Sequence, residues 1–104
     1  MTFETYQTEA EKLAVYPHAL EMTNLSYPTL GLAGEAGEVA NEIKKIERDD
    51  DGRLTEERKQ KLIYELGDVL WYLAVLATEL DLSLDYIAQS NIGKLIQRRQ
   101  ERGR

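Results

Sequence analysis

Two apolar seams of helical spacing flank a single Asp51-Gly52 turn signal, and that arrangement leaves few folds open to the chain. Before the turn, Leu32, Ala36, Val39, Ile43 and Ile46 recur at steps of four and three. After it, Leu62, Leu66, Val69, Leu73, Leu76 and Leu80 repeat the pattern. Such steps keep one face of a helix apolar, since the helix turns once every 3.6 residues or so. A short connection between two such helices favours an antiparallel hairpin.

Two further helices complete the reading. Phe3, Tyr6, Ala10 and Leu13 share one face of a helix running from about Thr2 to Val15, which Pro17 ends because the residue before proline avoids helical geometry. Pro28 suits the first turn of the second helix, which extends to about Arg48. Thr55 caps the third, followed by Glu56 and Glu57 at its positive end. Ser83 caps a fourth that enters the arginine-rich tail. Nothing reads as a strand. The fold class is all-α, a four-helix bundle-like single domain over 1–104, with a central antiparallel hairpin and completion by oligomerisation.

The absence of cysteine excludes disulfides, thiolate metal sites and thiol nucleophiles. No apolar run approaches the roughly 18–20 residues needed to span a bilayer, and the first residues lack the layout of a secretory signal. A cytoplasmic location is the simplest expectation. A net charge of −6 argues against binding a DNA or RNA polymer through a general positive field. It leaves room for a small phosphorylated ligand, because a bound cation inverts local electrostatics.

The hairpin carries an echo. "GEAGEV" and "ELGDV" each place two acids three residues apart around a glycine. Glu35 precedes Asp51 by as many residues as Asp68 follows Gly52, and Glu38 and Glu65 are matched in the same way. Folding back at the turn therefore brings the four carboxylates together beside the seams, Glu35 level with Asp68 and Glu38 level with Glu65. Gly37 and Gly67 fall at nearly the same height, where they let the backbones approach or leave room between them. One carboxylate pair about 5 Å apart repels by roughly 3 kcal/mol at an effective dielectric near 20, so the group must take up protons or cations. An all-oxygen donor set selects hard cations, Mg²⁺ or Mn²⁺. A di-iron bundle would need Glu-x-x-His pairs, and the one histidine, His18, lies in a connector. Glu42 extends the first stripe but faces no matching acid, so it stays outside the cage.

Other residues border the same region. Asn91, Lys94 and Arg98 form a polar stripe on the fourth helix that suits phosphate oxygens, as a solvated face also would. Lys44 and Lys45 add positive charge two turns beyond Glu38. Tyr72, one turn after Asp68, is a candidate to stack on a base, and Trp71 belongs to the core or an interface.

"LGLAGEAGEVANEIKK", "ELGDVLWYLAVLA" and "NIGKLIQRR" together resemble the MazG-like nucleoside triphosphate pyrophosphohydrolases of the all-α NTP pyrophosphatase superfamily. The resemblance covers roughly Leu30 to Arg99 and is nearest to short single-domain members. It implies cleavage of a (deoxy)nucleoside triphosphate between the α and β phosphates, clearing unwanted or excess nucleotides. It implies Glu35, Glu38, Glu65 and Asp68 as Mg²⁺ ligands. It assigns Asn91, Lys94 and one of Arg98 or Arg99 to substrate binding, with Tyr72 at the nucleotide, and a homodimer or homotetramer as the working unit. One departure stands out: where the dUTPase-like branch carries an extra acid before the first ligand, this chain has Gly34. Either Glu38 or Glu35 then becomes the expected general base, Glu38 preferred, or metal-bound hydroxide suffices without one, and strict dUTP specificity is disfavoured. The competing readings are a nucleotide or metal sensor without turnover, and a helical assembly module whose acids only confer solubility.

Overall fold

A computed structural model describes residues 1–103. Four helices follow in order: α1 (Phe3–Lys12), α2 (Ser26–Asp49), α3 (Glu56–Glu79) and α4 (Leu84–Glu101), with no strand among the described residues. Three of them begin at side-chain caps. The hydroxyl of Thr2 accepts from the Thr5 amide, that of Thr55 from Arg58 and that of Ser83 from Tyr86, each satisfying one orphan donor. α2 starts at Ser26, two residues before Pro28, because Asn24 Oδ1 accepts from the Tyr27 amide at 3.1 Å and does the capping.

α1 ends at Lys12, three residues short of the expected Val15. The 13–25 connector then turns sharply, with His18, Leu20 and Met22 at φ of 57°, 64° and 58°. Left-handed geometry costs a non-glycine residue roughly 1–2 kcal/mol, so something must hold it. Glu79, 2% exposed, is the anchor. Its carboxylate accepts from Tyr16 Oη at 2.6 Å, from the Leu20 amide at 3.1 Å and from the Met22 amide at 2.9 Å.

α2 and α3 form the expected antiparallel hairpin, closed by Asp51 and Gly52, both at positive φ. Its register is confirmed by Gly31 and Tyr72, equidistant from the turn: a Cβ on Gly31 would collide with the Tyr72 ring. Gly37 and Gly67 do not serve close approach, because a Cβ on either would meet nothing within 4 Å.

The seam itself runs differently from the expectation. The covered residues of α2 are Pro28, Leu32, Glu35, Val39, Glu42 and Ile46, and those of α3 include Arg58, Leu62, Glu65, Val69, Tyr72 and Leu76. Ala36, Ile43 and Leu66, assigned to the seam by spacing, face outward, with Leu66 54% and Ile43 44% exposed. Acids occupy the line between the helices instead of bordering it. Glu42 is buried there and pairs with Arg58 at 3.4 Å, while Arg58 also binds Asp50 at 2.9 Å. Those pairs close the turn end of the hairpin.

The apolar core lies at the other end. Ala10, Tyr16, Ala74, Val75, Ala77 and Leu84 cluster where α1 and the start of α4 meet the last turns of α3. Trp71 packs against this cluster, and its indole N–H donates to the Ala10 carbonyl at 3.3 Å. Gln7 crosslinks the corner: its amide donates to Thr78 Oγ1 and the Leu82 carbonyl and accepts from the Leu84 amide. Beyond Ala88, α4 is exposed throughout its described length. The radius of gyration, 16.6 Å, exceeds the roughly 13 Å of a compact chain this long. One chain thus supplies a hairpin and a docked corner, with α4 standing clear.

Candidate metal and nucleotide site

The hairpin register sets the site. Glu35 on α2 faces Glu65 and Asp68 on α3, and each offers a carboxylate oxygen within 4.8 Å of the others. Glu35 and Glu65 are half-buried in the interhelical line and Asp68 is exposed, so the cluster opens to solvent on one side. The carboxyl of Glu35 is pushed above the ordinary carboxylate range, first by burial and then by the charges of Asp68 and Glu65. A hydrogen bond with Glu65 and the charge of Glu38 push the same way. Among the described residues no cationic side chain acts on Glu35, and two positive charges toward the turn are engaged elsewhere. Lys45 binds Glu42 at 3.6 Å, and Arg58 is committed to Glu42, Asp49 and Asp50. The donor set is all oxygen, negative and open on one side, which fits a hard divalent cation that keeps water and phosphate ligands.

Of the four acids expected in the cage, three converge. Glu38 lies one turn beyond Glu35, exposed and outside the triad, near enough for its charge to act on Glu35. Lys44 is exposed and Lys45 is held by Glu42. Asn91 and Lys94 line a separate open cleft of about 330 Å³ with Leu82, Tyr86, Ile87 and Ser90. Arg98 and Arg99 lie further along the exposed part of α4. That helix packs on α1 and gives no residue to the carboxylate triad within one chain.

Aromatic groups complete the surroundings. Tyr72 presses on Gly31 and meets Trp71 edge to face at 5.1 Å. Its hydroxyl is pushed up by burial and then by Tyr27, Glu35 and Asp68. The hydroxyl of Tyr6, on α1, is pushed up by burial and then by the charge of Asp68. Sequence spacing assigned Tyr6 only to a core face and passed over Tyr27. Tyr27, Gly31 and Glu35 do recur at steps of four, and that spacing was the available signal for Tyr27.

The family model described as the MazG nucleotide pyrophosphohydrolase domain matches residues 24–103. The chain is 49% identical over 106 residues to the "Gene 37 protein" of Mycobacterium phage L5, covering 99% of this chain and 92% of that protein. No solved structure matches.

Proposed function

This chain belongs to the MazG nucleotide pyrophosphohydrolase family, and we propose that it uses Mg²⁺ to hydrolyse (deoxy)nucleoside triphosphates to the monophosphate and pyrophosphate. The observation that carries the reading is the convergence of Glu35, Glu65 and Asp68 across the hairpin of that domain. Like charges packed this closely disfavour the empty, ionised state, and a divalent cation relieves them. Mn²⁺ meets the same oxygen-donor requirement.

The chain's own residues divide the work. Glu35, Glu65 and Asp68 would hold the cation, which would supply positive charge to phosphate oxygens when bound. Glu38, exposed one turn along, accepts the proton of the water that attacks phosphorus. Its exposure leaves it able to turn toward substrate. Lys94, Arg98 and Arg99 bind phosphate oxygens and Asn91 donates to them, but they stand on the exposed length of α4 beyond Ala88, and α4 gives no residue to the triad in its own chain. A second copy meets that need, and the outward-facing Ala36, Ile43 and Leu66 offer the apolar surface on which it packs. The assembly is thus a homodimer or homotetramer, acting on free nucleotides in the cytoplasm as a house-cleaning enzyme. No helix among the described residues is long and apolar enough to cross a membrane.

Pyrophosphate release from a panel of nucleoside triphosphates tests the reading. Release with Mg²⁺, abolished by EDTA and by Asp68→Asn, is the expected result. Nucleotide binding without release in any metal would make the protein a sensor and overturn the enzyme.

A further inference from the structure

Resting on that reading, we propose that Tyr27 receives the nucleobase of the triphosphate. Its ring lies on an aromatic ledge that the 13–25 connector and Glu79 build at the outer end of the carboxylate stripe.

Tyr27, Gly31 and Glu35 lie on one face of α2 at steps of four, so Tyr27 stands two turns, about 12 Å, from the triad. With phosphates at the cation, the nucleoside end extends along this stripe or away from it. Among the described residues, Tyr64 lies exposed toward the turn end, and the rings that pack on other groups of the stripe lie at the opposite end. The turn end is closed by Glu42 and its partners Arg58 and Lys45, a charged cluster that gives a base nothing to stack on. The opposite end holds Tyr72 and Tyr27. Tyr72 is pressed on Gly31 and meets Trp71, and it is the more covered of the two. Tyr27 is 45% exposed.

The ledge is fixed from behind. Tyr16 stacks on Tyr27 with centroids 4.8 Å apart and planes 10° from parallel. Tyr16 is itself buried, and its hydroxyl is tied to Glu79 at 2.6 Å. The same carboxylate holds the Leu20 and Met22 amides, two of the connector's three left-handed residues. A linker needs no such strain, which persists only where surrounding contacts over-determine it. Here those contacts end on one ring that is covered on one face and open to solvent. Stacking on it tolerates any base, since every base has a π-face. Tyr27 is therefore a determinant of affinity for nucleosides over bare phosphates, and Glu79 is a positioning residue acting through Tyr16.

Steady-state kinetics with Mg²⁺ test the assignment, using four deoxynucleoside triphosphates and ribose 5-triphosphate, which has no base. Tyr27→Leu is expected to raise KM about tenfold for every nucleotide. It should leave KM for ribose 5-triphosphate at the wild-type value, and Tyr27→Phe should restore nucleotide KM. Glu79→Gln should shift nucleotide KM in the same direction, by less. An equal loss on the baseless substrate, or no loss on any nucleotide, overturns the ledge while leaving the enzyme reading intact. Wild-type protein that turns over no nucleotide sinks both.

Discussion

The ring of Tyr72 occupies the space that a Cβ on Gly31 would need. This contact fixes the hairpin register from within, one turn from the triad on each helix. Gly31→Ala therefore sets two effects against each other. Alanine gains about 1 kcal/mol of helix propensity, and displacing a packed ring costs roughly 1–3 kcal/mol. The clash wins, and Tm should fall by several degrees, at about 4–8 °C per kcal/mol for a domain near this size. Gly37→Ala meets open space in the single chain and gains the propensity alone. Thermal melts of a dilute, monomeric sample should show the two substitutions moving Tm in opposite directions.

Glu65 is half-buried between two other carboxylates. Glu65→Gln removes repulsion in the metal-free protein, so its Tm should hold or rise. Turnover should nonetheless fall on the order of 10²–10³, since the cation supplies several kcal/mol of charge stabilisation in the transition state. The Tm increase that Mg²⁺ gives the wild type should shrink in parallel. A collapsed Tm with activity retained would make Glu65 architectural.

The hairpin and its turn were legible because both depend on local rules: helical spacing, caps at Thr55 and Ser83, and a left-handed Asp51-Gly52 pair. The register was legible because the acids are symmetric about that turn. The seam was not. Leu66 and Ile43 satisfy apolar spacing as well as Leu62 and Ile46 do, and one sequence does not say which apolar stripe meets its own partner helix. Glu42 was passed over for lack of an opposing acid, yet it is satisfied by Arg58, an arginine nearer the turn. The anchoring of the connector was also hidden. Glu79 lies more than fifty residues from Tyr16, Leu20 and Met22, and no local pattern announces a pairing of that range.

The raised pKa of Glu35 gives a direction to the pH dependence of the metal-free protein. A carboxyl whose folded pKa exceeds its unfolded value binds protons more tightly when folded. Its stabilising effect is complete below the ordinary value of 4.5 and is lost as pH rises through the folded pKa. In EDTA, Tm should therefore decline on going upward from pH 4.5, and Glu35→Gln should flatten that decline. Saturating Mg²⁺ should reverse the trend if the cation binds the deprotonated cluster and so stabilises the fold by mass action. Melting curves at several pH values, with and without Mg²⁺, read out both slopes.

Leu66 tests whether the outward stripe is an interface. It lies on α3 between Glu65 and Gly67, so a partner packed over it would stand directly beside the triad. Burying a leucine contributes about 1.5–3 kcal/mol, whereas a glutamate there would have to shed its hydration without a counter-charge. Leu66→Glu should then leave the helix content of the chain intact while shifting its sedimentation to that of a monomer. Turnover should fall with it if the polar stripe of Asn91, Lys94, Arg98 and Arg99 reaches a triad through the partner. Mixing Leu66→Glu with Lys94→Ala chains separates the two effects. If each site draws its acids from one chain and its Lys94 from another, restored turnover requires that the mixed chains still associate. A Leu66→Glu protein that sediments as the wild type does would remove this stripe from the interface.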